Sequence, residues 1–231
     1  MKELSHLLNK NIIITAGGTI EYIDPVRFIA NKSSGKMGIA LAKYAQSQNF
    51  TTTLICGNVD DTLLDGYSGK VVKVETTEDM LSSIIDYISD DCVLIMAAAP
   101  ADFKPLNYSQ SKIKKTDEIF NLELIRTPDI LKNISEIKKI NKWENCYLVG
   151  FAAETNHVNE YAKKKLFEKE LDMICANMVG QEDRGFMSDN NDITMFFYDN
   201  TSCELGYNTK ANLAVIILEK IDLYIKGLLK K

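Results

Sequence analysis

Residues 11–19 read NIIITAGGT, an apolar strand that runs directly into two glycines. A nucleotide-binding α/β sheet usually opens this way, because Gly17 and Gly18 let the backbone turn tightly and approach a ligand without a Cβ in between. In a dinucleotide-binding fold the helix would begin at once, but here residues 20–32 intervene and an amphipathic helix begins only at Ser34. An insertion at this position lies beside the ligand crevice, so we expect it to shape a substrate site.

Length, composition and charge narrow the class of protein. The 231 residues, 45% of them hydrophobic, are enough to bury a core, and no linker or repeat divides them, so we predict one domain over residues 1–231. The chain has no apolar run long enough to cross a bilayer and no signal-peptide pattern, which predicts a cytoplasmic protein that does not bind membranes. A net charge of −5 argues against a nucleic-acid partner, which requires a clustered basic surface.

The cysteines and histidines do not form a recognisable metal or redox motif. The five cysteines stand singly without a C-x-x-C pair, and most of them fall in or at the end of predicted strands, which predicts buried reduced thiols. Only two histidines occur, His6 near the terminus and His157 at a predicted helix start. A His-centred triad or a His-rich metal site is therefore not expected.

Short apolar runs alternate with helical patterns along the chain. Strands are predicted near residues 52–56, 71–74, 92–97, 147–152 and 171–176, and Thr76 is the predicted N-cap of one helix between them. Residues 119–125 are strand-like, and a short helix follows with Thr127 as N-cap and Pro128 at its first position. Residues 193–198 and 202–205 suggest a hairpin before a long helix that follows Thr209. Continuous apolar strands joined by helices indicate an α/β fold with a mostly parallel sheet covered on both faces.

The glycine-rich segments do not match two familiar nucleotide motifs. Residues 34–36, Ser-Gly-Lys, lack the flanking residues of a P-loop, because position 30 is Ala and position 37 is Met. The second strand is followed by Cys56-Gly57-Asn58, not by an acid that could hold a ribose. Residues 33–38 are therefore either a helix start with packing glycines or an anion site at a helix N-terminus.

Two strand ends supply candidate ligand contacts. Residues 97–103, AAAPADF, leave a central strand at the end where α/β folds bind ligands, and their small side chains would let a flat ring lie against the backbone. Asp102 is the first carboxylate available there for ribose hydroxyls or a metal ion; the alternative is a tight turn with a solvated Asp. Phe151, at the end of another strand, either packs on a base or belongs to the core.

Lysines at two places are candidates for binding phosphate. Residues 112–115, KIKK, are either a solvated surface run or a mobile set of charges that closes over a triphosphate. Lys165 and Lys169 fall within the apolar stripe that Tyr161 and Leu166 help to define on one helix. Lysines at core-facing positions must extend to solvent, pair with an acid or meet a bound anion.

Together these segments resemble phosphopantothenoylcysteine synthetase, the ligase of coenzyme A biosynthesis, in its bacterial form. The resemblance covers nearly the whole chain in order. Its matching stretches are residues 14–19, 24–31, 33–38, 97–103, 112–115, 127–131, 150–156, 172–177 and 186–191.

The resemblance implies a modified Rossmann-like fold and a homodimer that joins 4′-phosphopantothenate to L-cysteine. It implies that CTP and Mg²⁺ activate the phosphopantothenate carboxylate as an acyl-cytidylate, which cysteine then attacks with release of CMP. Eukaryotic relatives favour ATP, so the nucleotide stays open between the two. The first predicted strand begins near Met1, as in the stand-alone form of the family, and we expect neither a flavin nor decarboxylase activity.

The resemblance also assigns site residues. It implies that Asn31 and Lys112 are catalytic and that Asp24 and Arg27, with Asn31, bind substrate. The metal ligands are not assigned. The implied nucleotide-binding residues are Met96, Ala97, Ala98, Asp102, Lys112, Pro128, Asp129, Ile130, Leu131, Phe151, Lys165 and Lys169.

Two other functions compete with this hypothesis. An NAD(P)-dependent reductase would suit the strand and glycine opening, and Tyr161 and Lys165 have the Tyr-x-x-x-Lys spacing of a proton donor. The displaced first helix and the missing ribose acid argue against it. A non-catalytic nucleotide sensor of the same fold is the second alternative.

Overall fold

The central sheet carries the ligand-binding edge of the protein. The structure is a computed structural model that describes residues 4–115, 119–154, 157–178 and 187–228, without the side chains of Glu154 and Met178. Among these residues, eight strands pair in the order β12-β11-β10-β9-β6-β1-β4-β5. Their bounds are β1 Asn11–Ala16, β4 Thr52–Cys56, β5 Lys70–Lys73, β6 Cys92–Met96, β9 Tyr147–Glu154, β10 Met173–Met178, β11 Asn190–Phe197 and β12 Ser202–Thr209.

The sheet is parallel from β5 to β10, and β11 and β12 continue it as an antiparallel hairpin. The strand order reverses between β1 and β6, because β4 and β5 lie on one side of this pair and β9 and β10 on the other. A crevice forms at such a reversal, where the connections leave in opposite directions. The predicted mostly parallel sheet and the predicted hairpin are confirmed.

Helices cover both faces of the sheet, as predicted. Helices α1 (Lys36–Ser47) and α5 (Lys210–Ile225) pack on the face that buries Ile12 and Ile14, and α2 (Thr77–Tyr87), α3 (Ile130–Ile140) and α4 (Val158–Glu168) pack on the face that buries Ile13. The alternation of these isoleucines follows from the two-residue period of a strand. No helix among the described residues is long and apolar enough to span a bilayer.

Two small antiparallel pairs stand beside the sheet. The insertion forms a hairpin of β2 (Ile20–Tyr22) and β3 (Phe28–Ala30), and β7 (Phe103–Pro105) pairs with β8 (Leu124–Arg126). The strand predicted for residues 119–125 is therefore wrong in its bounds, since only the three residues of β8 pair. A short 3-10 helix, Asp61–Leu64, completes the described elements.

The predicted helix starts are partly corrected. Thr76 caps α2 as predicted: its side chain accepts a hydrogen bond from the Asp79 N–H. For α3, however, Asp129 is the N-cap, so the predicted start at Thr127 and Pro128 is two residues early. The Thr127 hydroxyl donates instead to the carbonyl of Ala101, at 2.6 Å. A tertiary contact thus takes the side chain that local sequence rules assign to the cap.

The five cysteines are free thiols, and four of them are buried, as predicted. Cys92, the first residue of β6, and Cys146, which directly precedes β9, lie side by side with their sulfur atoms 3.3 Å apart. This proximity was not expected from their separation in the sequence, and it arises because β6 and β9 pair in parallel.

We predict that Gly38→Ala destabilises the fold. A Cβ on Gly38 would lie 2.5 Å from the carbonyl oxygen of Thr15 and 2.7 Å from the Cβ of Ala16, so α1 would have to move away from β1. Overpacking of this kind typically costs about 1–3 kcal/mol, which exceeds the gain in helix propensity. Urea unfolding measures the difference, and a variant as stable as the wild type contradicts the close approach.

Candidate functional site

A cleft of about 600 Å³ opens at the carboxyl ends of β6, β9 and β10, beside the reversal of strand order. We call it the central cleft. Its floor is the segment 96–103 that follows β6, one wall is the start of α1, and the other wall is the start of α3 with α4. Twelve residues predicted for the site line this cleft: Asn31, Met96, Ala97, Ala98, Asp102, Pro128, Asp129, Ile130, Leu131, Phe151, Lys165 and Lys169.

The floor is held in place by hydrogen bonds to the end of β1 and the segment after it. The Ala98 N–H donates to the Thr15 hydroxyl at 3.0 Å, and the Ala101 N–H donates to the Thr19 hydroxyl at 2.8 Å. Between them the Ala99 N–H donates to the carbonyl of Gly17 at 2.8 Å. These contacts use the polar groups of the floor, so the exposed side chain of Asp102 projects from a fixed backbone.

Asn31 is held on this floor by its own amide. The Asn31 Nδ2 donates to the carbonyl of Pro100 at 2.7 Å. The approach depends on Gly18, because a Cβ there would lie 2.8 Å from the Asn31 carbonyl oxygen. The Asn31 amide therefore joins the insertion to the floor and also lines the cleft.

The opposite wall presents a helix start and two lysines. Asp129 caps α3 by accepting a hydrogen bond from the Lys132 N–H at 3.2 Å, and its carboxylate lies 3.0 Å from the ammonium of Lys169. Lys165 lines the cleft one turn earlier on α4. The sequence left open whether Lys169 extends to solvent, pairs with an acid or meets an anion. In the structure it pairs with the acid Asp129, and it also lines the cleft in which an anion would bind.

Phe151 and Tyr161 show how the apolar pattern divides between core and site. Phe151 packs against the core and also lines the central cleft, so the core interpretation is confirmed and the contact with a base stays a prediction. Tyr161, which we predicted on the buried stripe of α4, is 43% exposed and does not line the cleft. That part of the stripe is wrong, and the Tyr161–Lys165 pair of a reductase is not assembled in the cleft.

Three predicted residues, Asp24, Arg27 and Lys112, do not line the central cleft. Lys112 is exposed, whereas Asp24 is buried and bonds to the main chain of Ile113 beside it. Three motif residues of the predicted family, Thr155, Asn156 and Phe186, lie outside the described part of the chain.

Sequence reasoning missed a second group of cations at the far end of the cleft, beside the starts of α1 and α5. The Lys36 ammonium lies 2.6 Å from the Asp189 carboxylate, and its hydrogen bond and charge lower the pKa of Asp189. Lys210 is buried and donates to the carbonyl of Ser188 at 2.6 Å. Burial lowers the pKa of Lys210 to about 8, and the charge of Lys36 acts in the same direction.

At this end of the cleft, two features involve residue types that the sequence itself displays. Lys210 directly follows the N-cap Thr209. A cation at a helix N-terminus interacts unfavourably with the helix dipole, so the helix itself does not explain a lysine at this position. Asn177 and Asn191, which also line the cleft, join β10 to β11 through an amide hydrogen bond of 3.2 Å.

The cleft has few candidates for metal binding. Within the described ranges, no three His, Cys, Asp or Glu side chains cluster in a way that could hold an ion. Mg²⁺ usually keeps several waters and binds through one or two carboxylates together with substrate phosphates. The carboxylates of Asp102 and Asp129 fit that requirement.

Comparison with known proteins identifies the family. The chain matches the model of the DNA/pantothenate metabolism flavoprotein C-terminal domain over residues 7–224. It belongs to this family. The coenzyme A biosynthesis bifunctional protein CoaBC of Bacillus subtilis is 42% identical over 217 residues, which cover 93% of this chain and 52% of that protein. The chain thus spans about half the length of the curated relatives it matches.

Solved structures agree with this placement. The crystal structure of the C-terminal domain of a CoaBC protein has a TM-score of 0.76 and 37% identity, and the alignment covers 96% of this chain and 98% of that one. A Cab2 mutant in complex with phosphopantothenate-cysteine has a TM-score of 0.71 at 17% identity, covering 99% and 91% of the two chains, which shows a shared fold. The family predicted from the sequence motifs is confirmed.

We predict that stability depends on the titration of Lys210. Its folded pKa of about 8 lies below the ordinary value of 10.5, so between these values the unfolded chain binds more protons and stability rises with pH. The unfolding free energy of the wild type should therefore rise relative to Lys210→Met by on the order of 1–3 kcal/mol from pH 8 to 10.5. Lys226→Met, at the exposed end of the same helix, should show no such difference in urea unfolding. A pH-independent gap between wild type and Lys210→Met contradicts the assigned pKa.

Proposed function

We propose that this chain is a phosphopantothenate–cysteine ligase that uses CTP. The observation that carries the proposal is the shared cleft itself: the Asn31 amide, the Asp102 carboxylate and the lysines of α4 line one space at the reversal of strand order. Membership of the family and the resemblance to a relative that acts in coenzyme A biosynthesis support the same reaction.

In this proposal the nucleotide lies along the floor of the cleft. The small side chains of Ala97 and Ala98 let the cytosine approach the backbone near Phe151, and Asp102 accepts hydrogen bonds from the ribose hydroxyls. The triphosphate lies against the N-terminus of α3, whose free N–H groups and dipole favour an anion. Lys165 and Lys169 supply the opposing charge.

The acyl substrate occupies the end of the cleft beside α1. A phosphopantothenate carboxylate oxygen near Asn31 attacks the α-phosphorus of CTP, and the bond to pyrophosphate breaks. The amino group of cysteine then attacks the acyl carbon and loses a proton, the amide bond forms, and CMP leaves. The Asn31 Nδ2 donates a hydrogen bond to the oxygen where charge develops, without adding a charge of its own. Lys36 and Lys210 are suited to the terminal phosphate of the substrate.

Mg²⁺ fits this proposal as a partner of the triphosphate. It would be held by substrate phosphates and by the carboxylate of Asp102 or Asp129, and it would supply charge neutralisation for the leaving pyrophosphate. We assign Lys112 to the same role of neutralising the charge on the leaving pyrophosphate. It lies in an exposed segment that does not line the central cleft.

A homodimer is part of the proposal, and an exposed apolar surface supports it. The β2–β3 hairpin contacts the β7–β8 pair, and these elements and the residues that follow β7 carry large apolar side chains that face solvent in the single chain. Contiguous exposed apolar surfaces of this kind mark interaction sites. The side chains are Val26, Phe28, Phe103, Leu106, Tyr108, Leu124 and Ile125.

The deciding experiment measures pyrophosphate release with CTP, 4′-phosphopantothenate and Mg²⁺, with and without cysteine. We expect CMP to appear only after cysteine is added, and ATP in place of CTP tests the nucleotide. A parallel fluorescence titration with NADPH should show no binding. Absence of pyrophosphate release with both nucleotides rejects the ligase.

We predict that Lys165→Gln weakens CTP binding, whereas Lys164→Gln does not. Lys164 is the adjacent exposed lysine, paired with Glu168 along the helix, so it matches the substitution without facing the cleft. A charge-assisted contact is typically worth about 1.5–3 kcal/mol, so the Kd for CTP should rise roughly ten- to a hundredfold for Lys165→Gln. Calorimetric titration measures the Kd for CTP of both variants. Equal changes in the two Kd values contradict a phosphate contact at Lys165.

We predict that Lys112→Gln and Asn31→Asp fail at different steps. Lys112→Gln removes charge near the leaving pyrophosphate and should slow formation of the acyl-cytidylate. Asn31→Asp replaces a donor with an anion beside the acyl group, so the intermediate should form and accumulate. Mass spectrometry of a quenched single turnover, with cysteine added afterwards, follows the intermediate. If Asn31→Asp forms none, or converts it at the wild-type rate, Asn31 does not act in the second step.

A further inference from the structure

Asp24 opens a tight turn in the insertion, residues 24–27, with the sequence DPVR. Its side chain is fully buried. The Oδ1 atom accepts hydrogen bonds from the N–H groups of Val26 at 2.8 Å and Arg27 at 2.9 Å, and the Ile23 N–H donates to the Arg27 carbonyl at 2.8 Å. One carboxylate oxygen is therefore used to build the turn, and the other points away from it.

The second oxygen reaches a distant part of the chain. The Asp24 Oδ2 accepts a hydrogen bond from the Ile113 N–H at 3.1 Å, and the Arg27 Nη2 donates to the Ile113 carbonyl at 2.7 Å. The Ser109 N–H also donates to the carbonyl of Ile23, at 3.0 Å. Both polar main-chain groups of Ile113 are thus bound by two side chains of one turn. We call Asp24 and Arg27 the Ile113 clamp.

The contacts of the clamp explain how the carboxylate of Asp24 can stay ionised although it is buried. Burial raises the pKa of Asp24, but the three main-chain N–H donors and the Arg27 charge outweigh it, and the pKa lies below its ordinary value. The Arg27 Nη1 is 3.5 Å from the Asp24 Oδ2, so the two clamp side chains also orient each other. Neither side chain lines the central cleft, and both Asp24 oxygens already have partners.

Ile113 is the neighbour of Lys112, in a segment that belongs to no helix or strand. A lysine on an unattached loop samples many conformations, and ordering the loop costs conformational entropy. A main chain fixed beside Lys112 removes much of that cost before the substrate arrives. Asp24 binds the peptide N–H that follows Lys112, and Arg27 binds the carbonyl of the next peptide, so neither contact involves the lysine side chain itself.

We propose that Asp24 and Arg27 are positioning residues that hold the main chain of Ile113 and so place Lys112 for its charge contact with the triphosphate. This inference rests on the proposed function and replaces the expectation that both residues touch substrate. Because the clamp acts through Lys112, it should affect formation of the acyl-cytidylate and leave CTP binding nearly unchanged.

The test is Asp24→Asn. The amide keeps one acceptor for the turn but presents an NH₂ group to the Ile113 N–H, so the clamp opens while the size of the side chain is preserved. We expect the single-turnover rate of acyl-cytidylate formation to fall roughly tenfold or more, with the Kd for CTP changed less than about threefold. Amide hydrogen exchange should accelerate in residues 109–115. An unchanged rate, or a Kd that rises as much as the rate falls, overturns the proposal.

Two further variants make the result specific. Asp199→Asn is the control, since the Asp199 Oδ1 likewise accepts from the N–H two residues on, Thr201, at 2.9 Å, but in an exposed turn between β11 and β12. It should leave rate and exchange unchanged. In the Lys112→Gln background, Asp24→Asn should cause no further loss of rate; an equal additional loss shows that Asp24 acts elsewhere and overturns the proposal.

The design separates failure of the clamp from failure of the ligase. If the wild type forms no acyl-cytidylate, the proposed function fails, and exchange in residues 109–115 alone decides whether the clamp exists. Arg27→Lys keeps the charge but loses the Nη2 contact to Ile113, so it should show the same pattern if Asp24→Asn does not fold. Unchanged exchange in both variants overturns the clamp.

Discussion

The site depends on the hydrogen bonds by which the end of β1 and the residues after it hold the segment that follows β6. Thr15, Gly17 and Thr19 bind the N–H groups of Ala98, Ala99 and Ala101, so the floor of the central cleft belongs to the sheet and not to a free loop. Polar main-chain groups this close to a core must be paired, and here the partners also set the position of the floor. Asn31 then needs only one hydrogen bond, to Pro100, to join the insertion to it.

Two lysines of the cleft pair with acids in a way that leaves them available to a bound phosphate. Lys169 contacts Asp129 and Lys36 contacts Asp189, but both acids are substantially exposed and such pairs contribute little to stability. A multiply charged phosphate can therefore compete for these lysines at low cost. Lys210 differs, because it is buried and its main-chain partner is a carbonyl. The two ends of the cleft thus provide positive charge under different conditions of solvation.

Much of the architecture was predictable because strands and helices bury their side chains with different periods. Alternate isoleucines of β1 divide between the two cores, and the hairpin of β11 and β12 follows its alternating pattern. Errors arose where a local sequence rule does not decide the surroundings of a side chain. Thr127 has the sequence of an N-cap but bonds to Ala101, and Tyr161 fits the apolar stripe of α4 yet faces solvent.

Residue patterns along the chain are enough to predict the fold class, the family and twelve of the residues that line the cleft, because these depend on local periodicity and on motifs that contiguous residues carry. Long-range packing, in contrast, decides which cations lie together and which side chains reach a distant loop. Lys36 and Lys210 are distant in the chain and meet beside Asp189, and Asp24 reaches Ile113 across the insertion. Such contacts depend on strand order and on the path of connecting loops, which no spacing within one segment encodes.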